Sequence, residues 1–134
     1  MKETIQNVLG QTCDDYEILV KDGLSRDTSL TELKAYLRKA GFFEKARSER
    51  EWEYVRPGTE TAAVRILSEK DEGIYDAMNR AVQKAKGDYI SFMNCGDGYF
   101  DNDVLSKTAK IMERTGNKEI YYGDAYFRRA GNVM

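Results

Sequence analysis

The chain has no histidine, a single proline and only two cysteines among its 134 residues. Without imidazole, any catalysis that needs it is excluded, and Cys13 and Cys95 lack both the spacing and the partners of a zinc site. Two reduced thiols are the expectation for such a pair. Neither sign of charge dominates: 21 Lys and Arg against 23 Asp and Glu leave a formal −2, so no whole-molecule field draws the chain to nucleic acid. No apolar run approaches the ~18 residues that a spanning helix requires, and the opening MKETIQNVLG has no signal-peptide core. The expectation is a cytosolic chain forming one domain with room for a core.

What is present alternates between two periodicities. Glu3 to Gln11 places Ile5, Val8 and Leu9 at helical spacing and stops near Gly10. Tyr16–Val20 is a short buried-strand pattern closed by Lys21-Asp22-Gly23, and residues 24–29 read as loop. Leu30, Leu33, Ala35, Tyr36 and Leu37 form the stripe of a second helix that ends by Gly41. Ala62–Leu67 is a second strand, and Ile74, Ala77, Met78, Ala81, Val82 and Ala85 make the clearest helical stripe, closed by Gly87. Asp88–Met93 reads as a third strand, Asp103–Arg114 as a helix and Glu119–Tyr122 as a fourth strand. Strands alternating with helices predict an α/β layered domain with a largely parallel sheet.

One segment resists this scheme. From Lys34 to Arg56, seven Lys or Arg stand against four Glu, mixed with large aromatics and leading into Pro57-Gly58. A solvated helix is the expectation for mixed-sign charge; the alternative is a face of local charge +3 turned to an anionic membrane or a polyanionic ligand.

Ligands of open α/β sheets sit beyond the carboxyl ends of the strands. Asp22 follows the first strand, Asp97 follows the third within "NCGDGYF", and Asp71 lies in the loop just before the best helix, whose N-terminal N–H groups suit a phosphate. Each has a plain alternative. Asp22 and Asp97 stand beside glycines, as turn residues do, and Asp71 is placed to cap the helix. Asp76 and Asn79 are placed to pin the neighbouring loop, Tyr75 and Met78 to pack, and Asp124 either to face an acceptor or to close a turn. Cys95 has no neighbour that would activate it as a nucleophile.

In order along the chain, "ETIQNVLGQT" with "YEILVKDGLSRDTS", then "SEKDEGIYDAMNRAVQKAKGDYISFMN", then "NCGD" and "YYGDAYF" resemble the family 2 glycosyltransferases of the GT-A fold, of the bacterial surface-polysaccharide type. The likeness covers roughly residues 3–33 and 66–127. It implies a three-layer GT-A sandwich with a mostly parallel sheet, carrying a charged, aromatic-rich insertion at about 42–60. It also implies a nucleotide-diphosphate sugar as donor, a saccharide or lipid-linked acceptor, and no nucleic acid. On this likeness Asp22 meets the base and ribose, Asp71, Gly73 and Asn94 lie along the donor, and Asp97 holds Mg²⁺ or Mn²⁺ against the diphosphate. Such ions take carboxylate oxygens and ease the departure of a diphosphate.

The chain departs from the family pattern at three places. Asn94 and Gly96 leave Asp97 as the one acidic member of a DxD-type motif, an opening strand ahead of the first helix is lacking, and the acidic general base that would deprotonate the acceptor is not seen before Met134. The expectation is a GT-A domain cut short at both ends, inverting in its chemistry, at work in the cytoplasm or on the inner face of the membrane. The rival expectation is a catalytically inactive remnant or interaction module; a phosphohydrolase or phosphotransferase using Asp22 ranks below both. A missing strand would leave a bare sheet border, so self-association is also expected. All of this requires Asp22 and Asp97 to open on one cleft.

Overall fold

The computed structural model describes residues 1–129 and 132–133. Helix α1 (Lys2–Leu9) leads to strand β1 (Ile18–Asp22), helix α2 (Ser29–Lys39), strands β2 (Phe43–Ser48), β3 (Glu51–Val55) and β4 (Ala62–Ser68), then helices α3 (Ile74–Lys84) and α4 (Val104–Thr115). A short pairing of β5 (Arg128–Arg129) with β6 (Asn132–Val133) follows. The four longer strands form one sheet in the order β1-β4-β3-β2.

Each core element buries the stripe its sequence writes. Ile5 of α1, Leu33 and Leu37 of α2, Val20 of β1, Tyr54 of β3 and Val64 and Ile66 of β4 belong to one cluster, with Leu33, Leu37, Tyr54, Val64 and Ile66 wholly excluded from solvent. Burying a Leu- or Ile-sized side chain stabilises by about 1.5–3 kcal/mol, so this cluster is the main source of stability. Alternation along β4 then sends Arg65 to the opposite face. There its guanidinium donates to the Lys84 carbonyl at 2.8 Å and to Glu17 at 3.1 Å, with Glu51 and Glu53 each 3.8 Å away. Lys84 ends α3, so α3 covers the face that α1 and α2 do not, and the layers run helices, sheet, helix.

The α/β class and the main elements are as the sequence predicts. Among the described residues, parallel pairing is confined to β1 and β4, in the register Ile18↔Val64 through Asp22↔Ser68. The β3–β4 and β2–β3 pairs are antiparallel, so the charged, aromatic-rich segment makes the sheet mixed. That segment is a β-hairpin and not the solvated helix expected of it. The reason is period two: Trp52 packs against the core cluster and Tyr54 within it, and Glu51 and Glu53 turn to Arg65. Lys34 Nζ of α2 stands 3.0 Å over the Trp52 ring, and Tyr54 donates to Glu44, which also accepts from Arg38. Part of the charge that reads as a solvated helix face serves to fix the hairpin to α2, while β2 itself stays exposed.

Two expected strands do not form. Residues 88–93 and 119–122 join no ladder, and Tyr89, Ile90 and Phe92 remain 39 %, 47 % and 52 % exposed. Among the described residues β1 pairs only with β4, so its other edge carries no strand. A strand exists only where a neighbour supplies backbone partners, and the segment 88–93 has none.

Candidate functional site

The parallel register sets Asp22 beside Ser68 at the carboxyl ends of two adjacent strands. Asp22 is 2 % exposed, and its Oδ2 accepts from Ser68 Oγ at 2.6 Å. The Ser25 N–H approaches both carboxylate oxygens at 3.3 Å. Burial pushes the Asp22 pKa up, but hydrogen bonds from Ser25 and Ser68 and the N–H of Leu24 outweigh it, and the group is held below the ordinary carboxylate range. Asp22 is therefore ionised, ordered and aimed at the strand ends.

Asp71 lies alongside. Its Oδ2 pairs with Lys21 Nζ at 3.0 Å and its Oδ1 accepts from Gly73 N at 3.2 Å; the Lys21 bond, then the Gly73 one, hold its pKa below the usual range. Gly73 opens α3 at φ +119°, a left-handed conformation that glycine adopts without strain. Its carbonyl accepts the Ala77 N–H at 3.0 Å. The Asp71 bond to Gly73 N orders the loop just ahead of α3 and reaches none of the free N–H groups of its first turn, so the capping role that the sequence offers for Asp71 is not taken up. Asp76 does what its position predicts, accepting the Glu72 N–H at 2.9 Å. At Gly23 a Cβ would sit 2.9 Å from Asp71 Oδ2, so glycine there lets the two strand-end loops touch.

Asp97 and Asn94 sit elsewhere, in an exposed turn. The Asn94 N–H donates to Asp97 Oδ2 at 2.8 Å and the Asp97 N–H to the Asn94 carbonyl at 3.0 Å. This turn is tied to α1: Gly96 N donates to Thr4 Oγ1 at 3.0 Å, and Asn7 exchanges two hydrogen bonds with the Tyr99 backbone. Gly98 leaves room for the Asn7 amide, which a Cβ would approach to 3.1 Å. Gln11 continues the docking, giving its Nε2 to the Asp101 carbonyl and accepting the Leu105 N–H.

The sequence-derived residues thus fall into two groups. Asp22, Asp71 and Gly73 are brought together at the ends of β1 and β4; Asn94 and Asp97 are held on α1. No hydrogen bond or ion pair joins the groups among the described residues, and no three His, Cys, Asp or Glu side chains cluster there as metal ligands. The groups are related through α1, whose Thr4 holds the turn and whose Ile5 shares the core cluster with Val20. Lys21, Ser68, Thr4 and Asn7 are the supporting residues that sequence reasoning missed. Only the Lys21-Asp22-Gly23 turn gave a signal for any of them.

The family model for "Glycosyl transferase family 2" matches residues 1–132, and the chain belongs to that family. Its α/β architecture is consistent with part of a GT-A domain. Over 124 residues it is 28 % identical to a "PGL/p-HBAD biosynthesis glycosyltransferase" of Mycobacterium bovis (strain BCG / Pasteur 1173P2), covering 92 % of this chain and 41 % of that protein. The like-named protein of Mycobacterium tuberculosis (strain ATCC 25177 / H37Ra) gives the same figures. An "Uncharacterized glycosyltransferase" of Rickettsia bellii (strain RML369-C) is 28 % identical over 127 residues, 94 % of this chain and 15 % of that protein. The chain thus spans less than half the length of these relatives. No solved structure matches it. Among the described residues, no helix is long and apolar enough to cross a membrane.

Proposed function

We propose that this chain forms the donor-binding part of an inverting glycosyltransferase that takes a nucleotide-diphosphate sugar. The observation that carries the reading is the ordered pair of strand-end carboxylates, Asp22 on Ser68 and Asp71 on Lys21, at the one parallel seam of the sheet. An ionised Asp22 at the strand ends, where each carboxylate oxygen can accept more than its bonds to Ser25 and Ser68, suits the hydroxyls of a ribose and the N–H edge of a base. Gly73, with open space where a Cβ would sit, keeps a side chain out of the approach, and the start of α3 offers N–H groups to phosphate.

Asp97 is the residue that would hold Mg²⁺ or Mn²⁺. The fit rests on its donor set: one exposed carboxylate with an oxygen left free by the turn, which suits a hard ion completing its shell with water and phosphate. Such an ion would neutralise the departing diphosphate. Asn94 would frame the same approach through the turn it shares with Asp97. The acceptor would be a saccharide or lipid-linked hydroxyl in cell-surface polysaccharide synthesis, met at the inner face of the membrane. Its general base would come from outside the residues that bind the donor.

Calorimetric titration with UDP- and GDP-sugars, with and without Mn²⁺, tests this. Binding that requires Mn²⁺ and fades in Asp97→Asn is expected; a folded chain that takes up no donor would overturn it. An inactive module of the same fold is the second reading, favoured by the lone carboxylate at the turn. Donor binding without release of nucleoside diphosphate, in a chain extended to its relatives' length, would establish it.

A further inference from the structure

We infer that Lys21 is a positioning residue that locks the β4–α3 loop onto the end of β1 and offsets one of the two carboxylates there, so that an anionic donor can settle beside Asp22. The inference rests on the donor reading above and adds to it a residue that the resemblance does not assign. Lys21 ends its reach in a place where ammonium groups are rarely found: its side chain is 6 % exposed. All three of its N–H donors are used. They reach the Glu69 carbonyl at 2.7 Å, Asp71 Oδ2 at 3.0 Å and the Asp22 carbonyl at 3.2 Å.

Two of these acceptors belong to the loop and one to the strand end, so a single cation fastens two segments far apart in sequence. The Glu69 N–H adds to the seam by donating to the Asp22 carbonyl at 2.9 Å. The electrostatic consequence is separate from the mechanical one. Asp22 and Asp71 alone would present two negative charges to a diphosphate; with Lys21 paired to Asp71 the group carries one. Loss of the ammonium leaves a buried carbonyl and a carboxylate without their partner, which the loop relieves by lifting into water.

Three chains test this: unaltered, Lys21→Met and Lys21→Arg. Amide hydrogen exchange is read without ligand, and UDP, GDP, uridine and guanosine are titrated against each. In Lys21→Met, exchange at Glu69–Gly73 should rise by about tenfold or more while the amides of α2 and β3 hold, which separates loop release from global unfolding. The affinity for UDP or GDP should fall by about tenfold, a larger loss than the bare nucleosides show, because only the diphosphates feel the uncovered charge. Lys21→Arg, which keeps the charge, should restore the phosphate preference. Unchanged exchange in Lys21→Met overturns the clamp, and an equal loss for nucleoside and diphosphate overturns the electrostatic role. Should the unaltered chain bind no nucleotide, the donor reading falls and the electrostatic role with it, and the exchange measurement still judges the clamp on its own.

Discussion

The two halves of the molecule obey the same sequence rules with opposite results. Up to Ser68, apolar stripes meet one another, and α1, α2 and the sheet enclose a solvent-free cluster. Beyond it, α3 and α4 carry stripes as regular as any, yet neither holds a buried residue, and Ile74, Tyr75, Ile90, Ile120 and Tyr122 are 57 %, 80 %, 47 %, 79 % and 98 % exposed. Periodicity specifies a helix; it does not supply the surface that the helix covers. The second half is held mainly by polar contacts: Arg65 and Glu17 to the end of α3, Thr4, Asn7 and Gln11 to the turn at 94–105.

Substitutions on either side of that division give the widest contrast. Leu33→Ala, in the solvent-free cluster, should cost about 2–5 kcal/mol of unfolding free energy, and Ile120→Ala, on the exposed side, within about 0.5 kcal/mol. Chemical denaturation of the two variants checks this, and comparable losses would erase the distinction between the halves. Arg65→Ala comes next, with a loss of about 3 kcal/mol, because Glu17, Glu51 and Glu53 all lean on a side chain only 7 % exposed. Since the same residue holds the end of α3, its removal should also speed exchange at Lys84 and Lys86.

The smallest effect belongs to the strand-end carboxylate. Asp22 is held below its ordinary pKa in the folded state, so its contribution is present above the unfolded value of about 4 and is lost as pH falls through the lower folded value. Asp22→Asn should flatten the acid limb of the stability profile below about pH 4 and leave the neutral region without a comparable slope. An acid limb identical in both chains would contradict the hydrogen bonds assigned to Ser25 and Ser68.

The elements of the packed half were legible because apolar spacing and packing agree there. The hairpin was not, since Trp52 and Tyr54 alternate with Glu51 and Glu53 only over five residues, amid charges that read as a solvated helix. Its two faces became readable only with β4 beside it, where Arg65 meets those glutamates from the neighbouring strand on the side away from the core. Residues 88–93 failed for the converse reason: their letters favour a strand, but a strand needs neighbours that local sequence cannot guarantee. At the candidate site, Asp22 and Asp71 were findable because strand ends place carboxylates. Ser68 and Lys21 were not, since their roles arise from the β1–β4 register and from a loop folding back. Asp97 was found as a residue, but its attachment to α1 through Thr4 and Asn7 is invisible in the motif.

Whether the two groups of residues serve one ligand is the point on which the functional account turns. The direct measurement is amide chemical-shift mapping of the labelled chain titrated with UDP- and GDP-sugars in Mg²⁺. The account predicts that Gly23, Ser68 and Gly73 move together with Asn94–Gly98, all following one binding curve for one of the donors. Movement confined to a single group, or two curves with different midpoints, would contradict a shared donor site.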